Sequence, residues 1–93
     1  MTFNIIVEDE AKQDLLNIYK YICKNDSQPK AKNFILELQK KIQSLDSVPY
    51  RCRNSYYTDD QNTKDLIHKK YTIVFKVINN NIHVLTVFRQ KSY

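Results

Sequence analysis

Apolar residues recur at helical spacing in two stretches in the first half of the chain. In the first stretch the apolar positions are Ala11, Leu15, Ile18, Tyr19 and Ile22. In the second they are Ala31, Phe34, Ile35, Leu38, Ile42 and Leu45. Because steps of three and four residues bring each set to one side of an α-helix, both stretches are predicted to form amphipathic helices.

Polar residues and prolines set the predicted ends of these helices. Acidic residues 8–10 favour the start of the first helix through its dipole. Ser27 is predicted to cap the second helix, with Pro29 in its first turn, and Pro49 follows its end. The positions of the first helix expected to face solvent are Lys12, Asp14, Asn17, Lys20 and Lys24.

The remaining apolar runs have the composition and the alternation of β-strands. The predicted strands are Thr2–Val7, Lys64–His68, Tyr71–Ile78 and Ile82–Phe88. Residues 50–62 show no period and are expected to form a loop. The asparagines 79–81 are expected to form a three-residue hairpin loop, since Asn tolerates positive φ.

This order of elements predicts one α+β domain over residues 1–93. The expected architecture is a small twisted, antiparallel-rich sheet with a two-helix hairpin packed on one face, in the order β-α-α-β-β-β. Strand Tyr71–Ile78 is apolar on both faces, which is typical of a central strand. The face of the sheet away from the helices is expected to be partly open.

The net charge of +5 favours an anionic partner, either nucleic acid or an acidic protein segment. The first 28 residues are net acidic and the rest of the chain is net basic. Glycine is absent. Its absence excludes a Gly-rich phosphate loop, a dinucleotide-binding fingerprint and a nucleophile elbow.

Neither a membrane span nor a cofactor is expected. No run of about 18 apolar residues is present, and the N-terminus has no basic leader, so we expect a cytoplasmic protein. Cys23 and Cys52 are interpreted as two reduced thiols. No metal site is expected, because the cysteines and His68 and His83 lack the spacing of metal ligands.

Basic and aromatic residues are interleaved near the predicted strand ends. The basic residues are Arg51, Arg53, Lys64, Lys69, Lys70, Arg89 and Lys91. The tyrosines are Tyr50, Tyr56, Tyr57, Tyr71 and Tyr93. Such a surface can bind phosphates or carboxylates and stack bases or a partner chain, and it can equally be a solvated rim with tyrosines at the edge of the core.

Three quoted segments carry a family resemblance that covers nearly the whole chain. They are the helical hairpin DLLNIYKYI…AKNFILELQKKIQSLDSVP, the strand KYTIVFKV and the segment NNNIHVLTVFRQ. In these segments the chain resembles the RelE/ParE superfamily, the toxins of type II toxin–antitoxin modules. The long helices are similar to the ParE-like branch. Thr72 replaces the Arg usual in the family, and Phe88 to Lys91 replaces a His-Gly-Arg-Arg tail.

The resemblance implies a toxin that inhibits growth by poisoning DNA gyrase, as in plasmid stabilization, and that a cognate antitoxin neutralises in a hetero-oligomer. Residues expected to bind the target or the antitoxin are Arg51, Arg53, Lys69, Lys70, Tyr71, Arg89, Lys91 and Tyr93. A ParE-like toxin of this kind is not an enzyme and needs no cofactor.

Two alternatives stay open. The first is a RelE-like, ribosome-dependent mRNA endonuclease, whose catalytic residues would be Arg51, Arg53, Lys64, Arg89 and Tyr93. The second is a non-toxic homologue that only binds an antitoxin. In the nuclease reading His68 and His83 are candidate acid and base. Strict alternation puts His83, Leu85, Val87 and Arg89 on one face, with His83 about 20 Å from Arg89, too far for one phosphate.

Overall fold

Two helices lie against one mixed sheet in the computed structural model, which describes residues 3–46, 53–54 and 62–89. The helices are α1 (Asp9–Asn25) and α2 (Gln28–Gln43), and a short 3₁₀ helix (Ser44–Asp46) follows α2. The strands are β1 (Asn4–Val7), β2 (Arg53–Asn54), β3 (Thr63–His68), β4 (Tyr71–Ile78) and β5 (Asn81–Arg89). None of the helices in these ranges is long and apolar enough to cross a membrane.

The predicted α+β order is confirmed for the two helices and the four longer strands. The loop prediction for residues 50–62 is wrong at β2, which pairs Arg53 with Asp65 and Asn54 with Lys64. A strand of two residues is too short to show an alternation, so the sequence pattern cannot reveal it. Cys23 is a free thiol, and Cys52 lies outside the described residues.

The sheet order is β1-β5-β4-β3-β2, so β4 is the central strand, as predicted. β1 runs parallel to β5, and every other pair is antiparallel. The connection from β1 to β5 contains both helices and the three other strands, and so has the length that a parallel pair requires. The first and the last described strands are therefore neighbours.

Local chemistry explains where the helices begin. Asp9 and Glu10 occupy the first turn of α1, where negative charge is favourable. The Ser27 hydroxyl accepts a hydrogen bond from the Lys30 amide at 3.3 Å, and Pro29 lies in the first turn of α2. The predicted cap of α2 is confirmed. A cap of this kind stabilises a helix by about 1 kcal/mol.

The core lies between the helices and one face of the sheet. Its helical members are Ala11, Ile18, Leu38 and Ile42, and Leu45 follows in the 3₁₀ helix. Its strand members are Ile73, Phe75, Val77, Ile82, Val84 and Val87. Burying each larger side chain contributes about 1.5–3 kcal/mol, so this single face supplies most of the drive to fold.

The second face of the sheet is closed at its centre and open at its margins. Thr72 and Val74 are buried. The margins expose three isoleucines by about 40%, namely Ile6, Ile67 and Ile78. The expected partial opening of this face is therefore found at its ends.

A β-bulge changes the faces of β5. Val74 pairs with Thr86, whereas the next residue, Phe75, pairs with Val84, so Leu85 has no partner on β4. The prediction that His83 shares a face with Val87 and Arg89 is therefore wrong. His83 lies opposite Lys76, while Arg89 lies opposite Tyr71 on the helix side. A bulge inserts one residue and reverses the alternation beyond it, and no glycine marks its position in the sequence.

The turns at the two ends of β4 use residues other than glycine at positive φ. Asn79 has φ 55° in the β4–β5 turn, as expected for an asparagine. The predicted three-residue loop is one residue too long, because Asn81 already pairs with Ile78. Lys69 has φ 56° in the β3–β4 turn, which the sequence did not indicate.

The Asn79 turn yields a test of stability. We expect Asn79→Ala to lower the free energy of unfolding by about 1 kcal/mol, because a Cβ without a side-chain amide disfavours the left-handed region. Asn79→Gly should match the wild type or exceed it. Asn80→Ala is the matched control, since Asn80 has no positive φ. Urea denaturation followed by circular dichroism measures all three, and an equal loss for both alanine variants would contradict the assignment.

Candidate functional site

An open cleft of about 560 Å³ lies at one end of the sheet. It forms where the end of α1, the first half of α2, the β3–β4 turn and the end of β5 meet. The lining residues are Ile22, Asp26, Lys30, Asn33, Phe34, Glu37, Lys69, Lys70, Tyr71 and Arg89. We call this site the Tyr71–Arg89 cleft.

Strand pairing brings Tyr71 and Arg89 together. The two residues face each other across β4 and β5, on the same side as the buried pair Ile73 and Val87. Tyr71 and Arg89 lie at the end of the sheet on the face that carries the core. Arg89 is exposed there and Tyr71 is half-buried. The Phe34 ring of α2 packs against Tyr71, with centroids 5.1 Å apart and planes tilted by 51°. The floor of the cleft is therefore aromatic.

Glu37 ties the β3–β4 turn to α2. Its Oε2 lies 3.0 Å from Lys69 Nζ and 3.4 Å from His68 Nε2. The His68 ring stacks on Phe34 at 6.0 Å, and Lys69 Nζ lies 5.6 Å from the centroid of the same ring. A residue other than glycine at positive φ costs about 1–3 kcal/mol, and Lys69 makes these side-chain contacts in that backbone conformation.

The cations of the cleft fall into two groups. Lys69 pairs with Glu37, and Lys30 pairs with Asp26 at 3.3 Å. Lys70 and Arg89 have no carboxylate partner among residues 3–46 and 62–89. An anionic group entering the cleft can therefore pair with these two side chains without displacing a carboxylate of the described residues.

Tyr71 stays neutral beside Arg89. Burial raises the pKa of the Tyr71 phenol above its ordinary value of 10.0, although the nearby Arg89 charge lowers it and Tyr21 raises it. The phenol is therefore protonated at neutral pH and can donate a hydrogen bond. It supplies no negative charge that would neutralise Arg89.

A second hollow, of about 310 Å³, lies on the other side of the same pair. It is lined by Asn17, Ile18 and Tyr21 of α1 together with Tyr71 and Arg89. The Tyr71–Arg89 pair therefore lines two neighbouring hollows, and a partner chain could contact it from either one.

The structure brings four of the predicted binding residues together, namely Lys69, Lys70, Tyr71 and Arg89. Lys64 does not line the cleft: it is buried on β3 opposite Phe75, about 13 Å along the strand from the turn. Arg53 lies on β2, opposite Asp65 of β3. Predicted site residues outside the described residues are Arg51, Lys91 and Tyr93, together with the tyrosines Tyr50, Tyr56 and Tyr57.

Both histidines contact carboxylates. His83 Nδ1 lies 2.8 Å from Glu8 Oε1, next to the start of α1. His68 contacts Glu37 at the other end of the sheet, as described above. Neither imidazole lines the Tyr71–Arg89 cleft. Within the described residues, no three His, Cys, Asp or Glu side chains are grouped so as to hold a metal ion.

Sequence reasoning missed the contributions of α2 and of Asp14. Phe34 and Glu37 lie three residues apart on one flank of α2, and this spacing was the available signal for their joint contact. Asp14, predicted to face solvent, is half-buried and accepts hydrogen bonds from Thr86 and Val87 of β5. Hydrophobic periodicity cannot reveal a carboxylate that faces the edge of a strand.

Comparison with known proteins gives one family. Residues 5–92 match the model described as the ParE toxin of the type II toxin–antitoxin system parDE. A search of curated protein sequences gave no match.

Solved structures give the same fold. A chain of the chromosomal ParDE toxin–antitoxin system from P. aeruginosa has a TM-score of 0.81 at 16% identity, covering 97% of this chain and 98% of that one. A chain of the toxin–antitoxin complex RelBE2 from Mycobacterium tuberculosis has a TM-score of 0.72 at 12% identity, covering 99% and 95%. The YoeB dimer from Staphylococcus aureus has a TM-score of 0.62 at 18% identity, covering 100% of both chains. These likenesses confirm the predicted RelE/ParE-like fold.

The Glu37 contacts yield a test by titration. The hydrogen bond from Lys69, and after it the one from His68, lowers the pKa of the Glu37 carboxyl below its ordinary value of 4.5. A carboxyl whose pKa is lower in the folded protein than in the unfolded chain stabilises the fold when it is ionised. The contribution of Glu37 should therefore be present above about pH 4.5, the ordinary pKa of the unfolded chain, and be lost as the pH falls through the lower pKa of the folded protein. We expect Lys69→Ala to raise the pKa of Glu37 more than His68→Ala does.

Carboxyl chemical shifts in NMR titrations measure this pKa directly. Lys32→Ala is the matched control, because Lys32 is an exposed lysine on the same helix that does not line the cleft. A Glu37 pKa that responds equally to Lys69→Ala and Lys32→Ala would show that general charge, and not the Lys69 contact, sets its value.

Proposed function

Because this chain belongs to the ParE toxin family of type II toxin–antitoxin systems, we propose that it inhibits growth by poisoning DNA gyrase and that a cognate antitoxin neutralises it. The family match carries the proposal. The Tyr71–Arg89 cleft supports the proposal, because its aromatic floor lies beside Lys70 and Arg89. Among the described residues, no carboxylate pairs with either of these two cations.

The cleft fits an acidic, amphipathic segment of an antitoxin. An apolar side chain of that segment would rest on Phe34 and Tyr71, and its carboxylates would pair with Lys70 and Arg89. A segment that folds only on contact could cover the cleft and the neighbouring hollow together. Two similar structures come from the ParDE and RelBE2 toxin–antitoxin systems, which supports an antitoxin as the partner.

The chemistry of the cleft favours binding over catalysis. A ribonuclease needs an acid and a base whose pKa values lie near the working pH. Glu37 is the carboxylate that contacts Lys69 of the β3–β4 turn, and its lowered pKa makes it a weak base. The endoribonuclease alternative also draws less support because Lys64 does not line the cleft. These observations favour a protein that acts by binding its target.

Two target assays separate the alternatives. The purified chain is incubated with gyrase and supercoiled plasmid, and in parallel with ribosomes programmed with mRNA. We expect covalent gyrase–DNA cleavage complexes and an intact mRNA. Cleavage of ribosome-bound mRNA without gyrase poisoning would overturn the proposal in favour of the nuclease. Growth arrest on expression of the chain distinguishes both from a homologue that only binds an antitoxin.

The cleft yields a test of partner binding. We expect Arg89→Ala and Lys70→Ala each to weaken antitoxin binding by about tenfold or more, since each removes a charge-assisted bond at the interface. The product of the adjacent open reading frame serves as the candidate antitoxin, and calorimetry at two salt concentrations measures the affinity. Lys20→Ala is the matched control, because Lys20 is an exposed lysine of α1 that does not line the cleft. Equal losses for Lys20→Ala and Arg89→Ala would rule the cleft out as the binding site.

A further inference from the structure

The edge of β5 that faces away from β4 has two successive partners: β1 along its first half and Asp14 of α1 beyond it. β1 pairs with β5 from Asn81 to Val84, and the Glu8 amide makes a last hydrogen bond to the Val84 carbonyl at 3.0 Å. The chain then turns into α1. Among the described residues no strand flanks this edge of β5 beyond Val84.

The Asp14 carboxylate takes over where β1 stops. Its Oδ2 accepts the hydroxyl of Thr86 at 2.6 Å and the backbone amide of Val87 at 3.0 Å. An amide that donates to Asp14 cannot also donate to β4, so one side chain of α1 replaces the missing strand at this point. Such charge-assisted bonds are stronger than those between neutral groups.

The hydrogen bonds to Asp14 come directly after the β-bulge of β5. Leu85, the bulged residue without a partner on β4, directly precedes Thr86. A bulge bends and twists its strand, so the direction of the residues beyond it depends on how the strand is held next. Asp14 binds the first two residues after the bulge. Arg89 follows Val87 by two residues and lies on the same side of β5.

We propose that Asp14 is a positioning residue for the proposed partner binding: its carboxylate fixes β5 after the bulge and so sets the place of Arg89 beside Tyr71. That Arg89 binds a partner rests on the proposed function. That Asp14 sets the position of Arg89 rests on the geometry alone. Asp14 acts through Arg89 and does not itself line the cleft.

The first test needs no partner. Arg89 lowers the pKa of Tyr71, so the titration of this phenol reports how close the guanidinium lies. We expect Arg89→Ala and Asp14→Ala each to raise the pKa of Tyr71, and the double variant to raise it no further than Arg89→Ala alone. Removal of a negative charge would by itself lower the pKa of a phenol, so a rise is diagnostic of a displaced Arg89. An unchanged or lower pKa would overturn the inference.

NMR of the chain with ¹³Cζ-labelled tyrosine follows the titration, and Tyr71→Phe assigns the signal. Glu10→Ala is the matched control, because it removes an exposed acidic residue from the same helix. Thr86→Val is a milder second variant that leaves the Val87 bond intact, and we expect a smaller rise of the Tyr71 pKa. Asp14→Asn keeps an acceptor for the Val87 amide and should restore most of the wild-type value. Failure of Asp14→Asn to do so would count against the hydrogen bond as the cause.

The second test uses a double-mutant cycle on antitoxin affinity. We expect Asp14→Ala to weaken binding by about tenfold in the wild-type chain and by less than about twofold in the Arg89→Ala chain. Equal losses in both chains would overturn the inference, because Asp14 would then act independently of Arg89. If the wild-type chain bound no antitoxin, the proposed function would fail, and the Tyr71 titration would still decide whether Asp14 positions Arg89.

Discussion

The pairing of β4 with β5 is the interaction on which the rest of the structure depends. On one side it presents Ile73, Phe75, Val84 and Val87 to the helices, and this apolar surface is what α1 and α2 need in order to bury their own stripes. The same register continues past the core and brings Tyr71 beside Arg89. Stability and the candidate binding surface therefore come from one pair of strands, and a slip of one residue would destroy both.

A chain without glycine has to tolerate strain at its turns, and the two ends of β4 do so differently. Asn79 adopts positive φ at the far end, where its side-chain amide makes this conformation accessible. Lys69 does so at the cleft, where no intrinsic preference helps and where Glu37 and Phe34 hold the side chain in place. The turn whose residue has no intrinsic preference for positive φ is therefore the one next to the candidate site, a placement common for functional residues.

The parts of the fold that follow from repeated patterns could be predicted from the sequence. The periods of α1 and α2 are long and regular, and β4 and β5 are long apolar runs. The basic and aromatic residues at the strand ends indicated four of the ten residues that line the cleft. The bulge at Leu85 and the role of Asp14 could not be predicted, because a single inserted residue and a single carboxylate leave no periodic signal. Phe34 and Glu37 were missed because their function depends on how α2 lies across the sheet.

The cations of the cleft divide between two roles: some pair with carboxylates of the chain itself, and Arg89 remains available to a partner. Lys69 and Lys30 are held by carboxylates of the chain itself, so they contribute to the structure of the rim. Arg89 stands beside a phenol whose pKa is raised by burial, so the chain places no phenolate there at neutral pH. An exposed guanidinium costs the isolated chain little, because water solvates it. An acidic partner that excludes this water would form strong charge-assisted bonds with the guanidinium. Arg89 therefore changes the free energy of folding little and contributes favourably to the free energy of association.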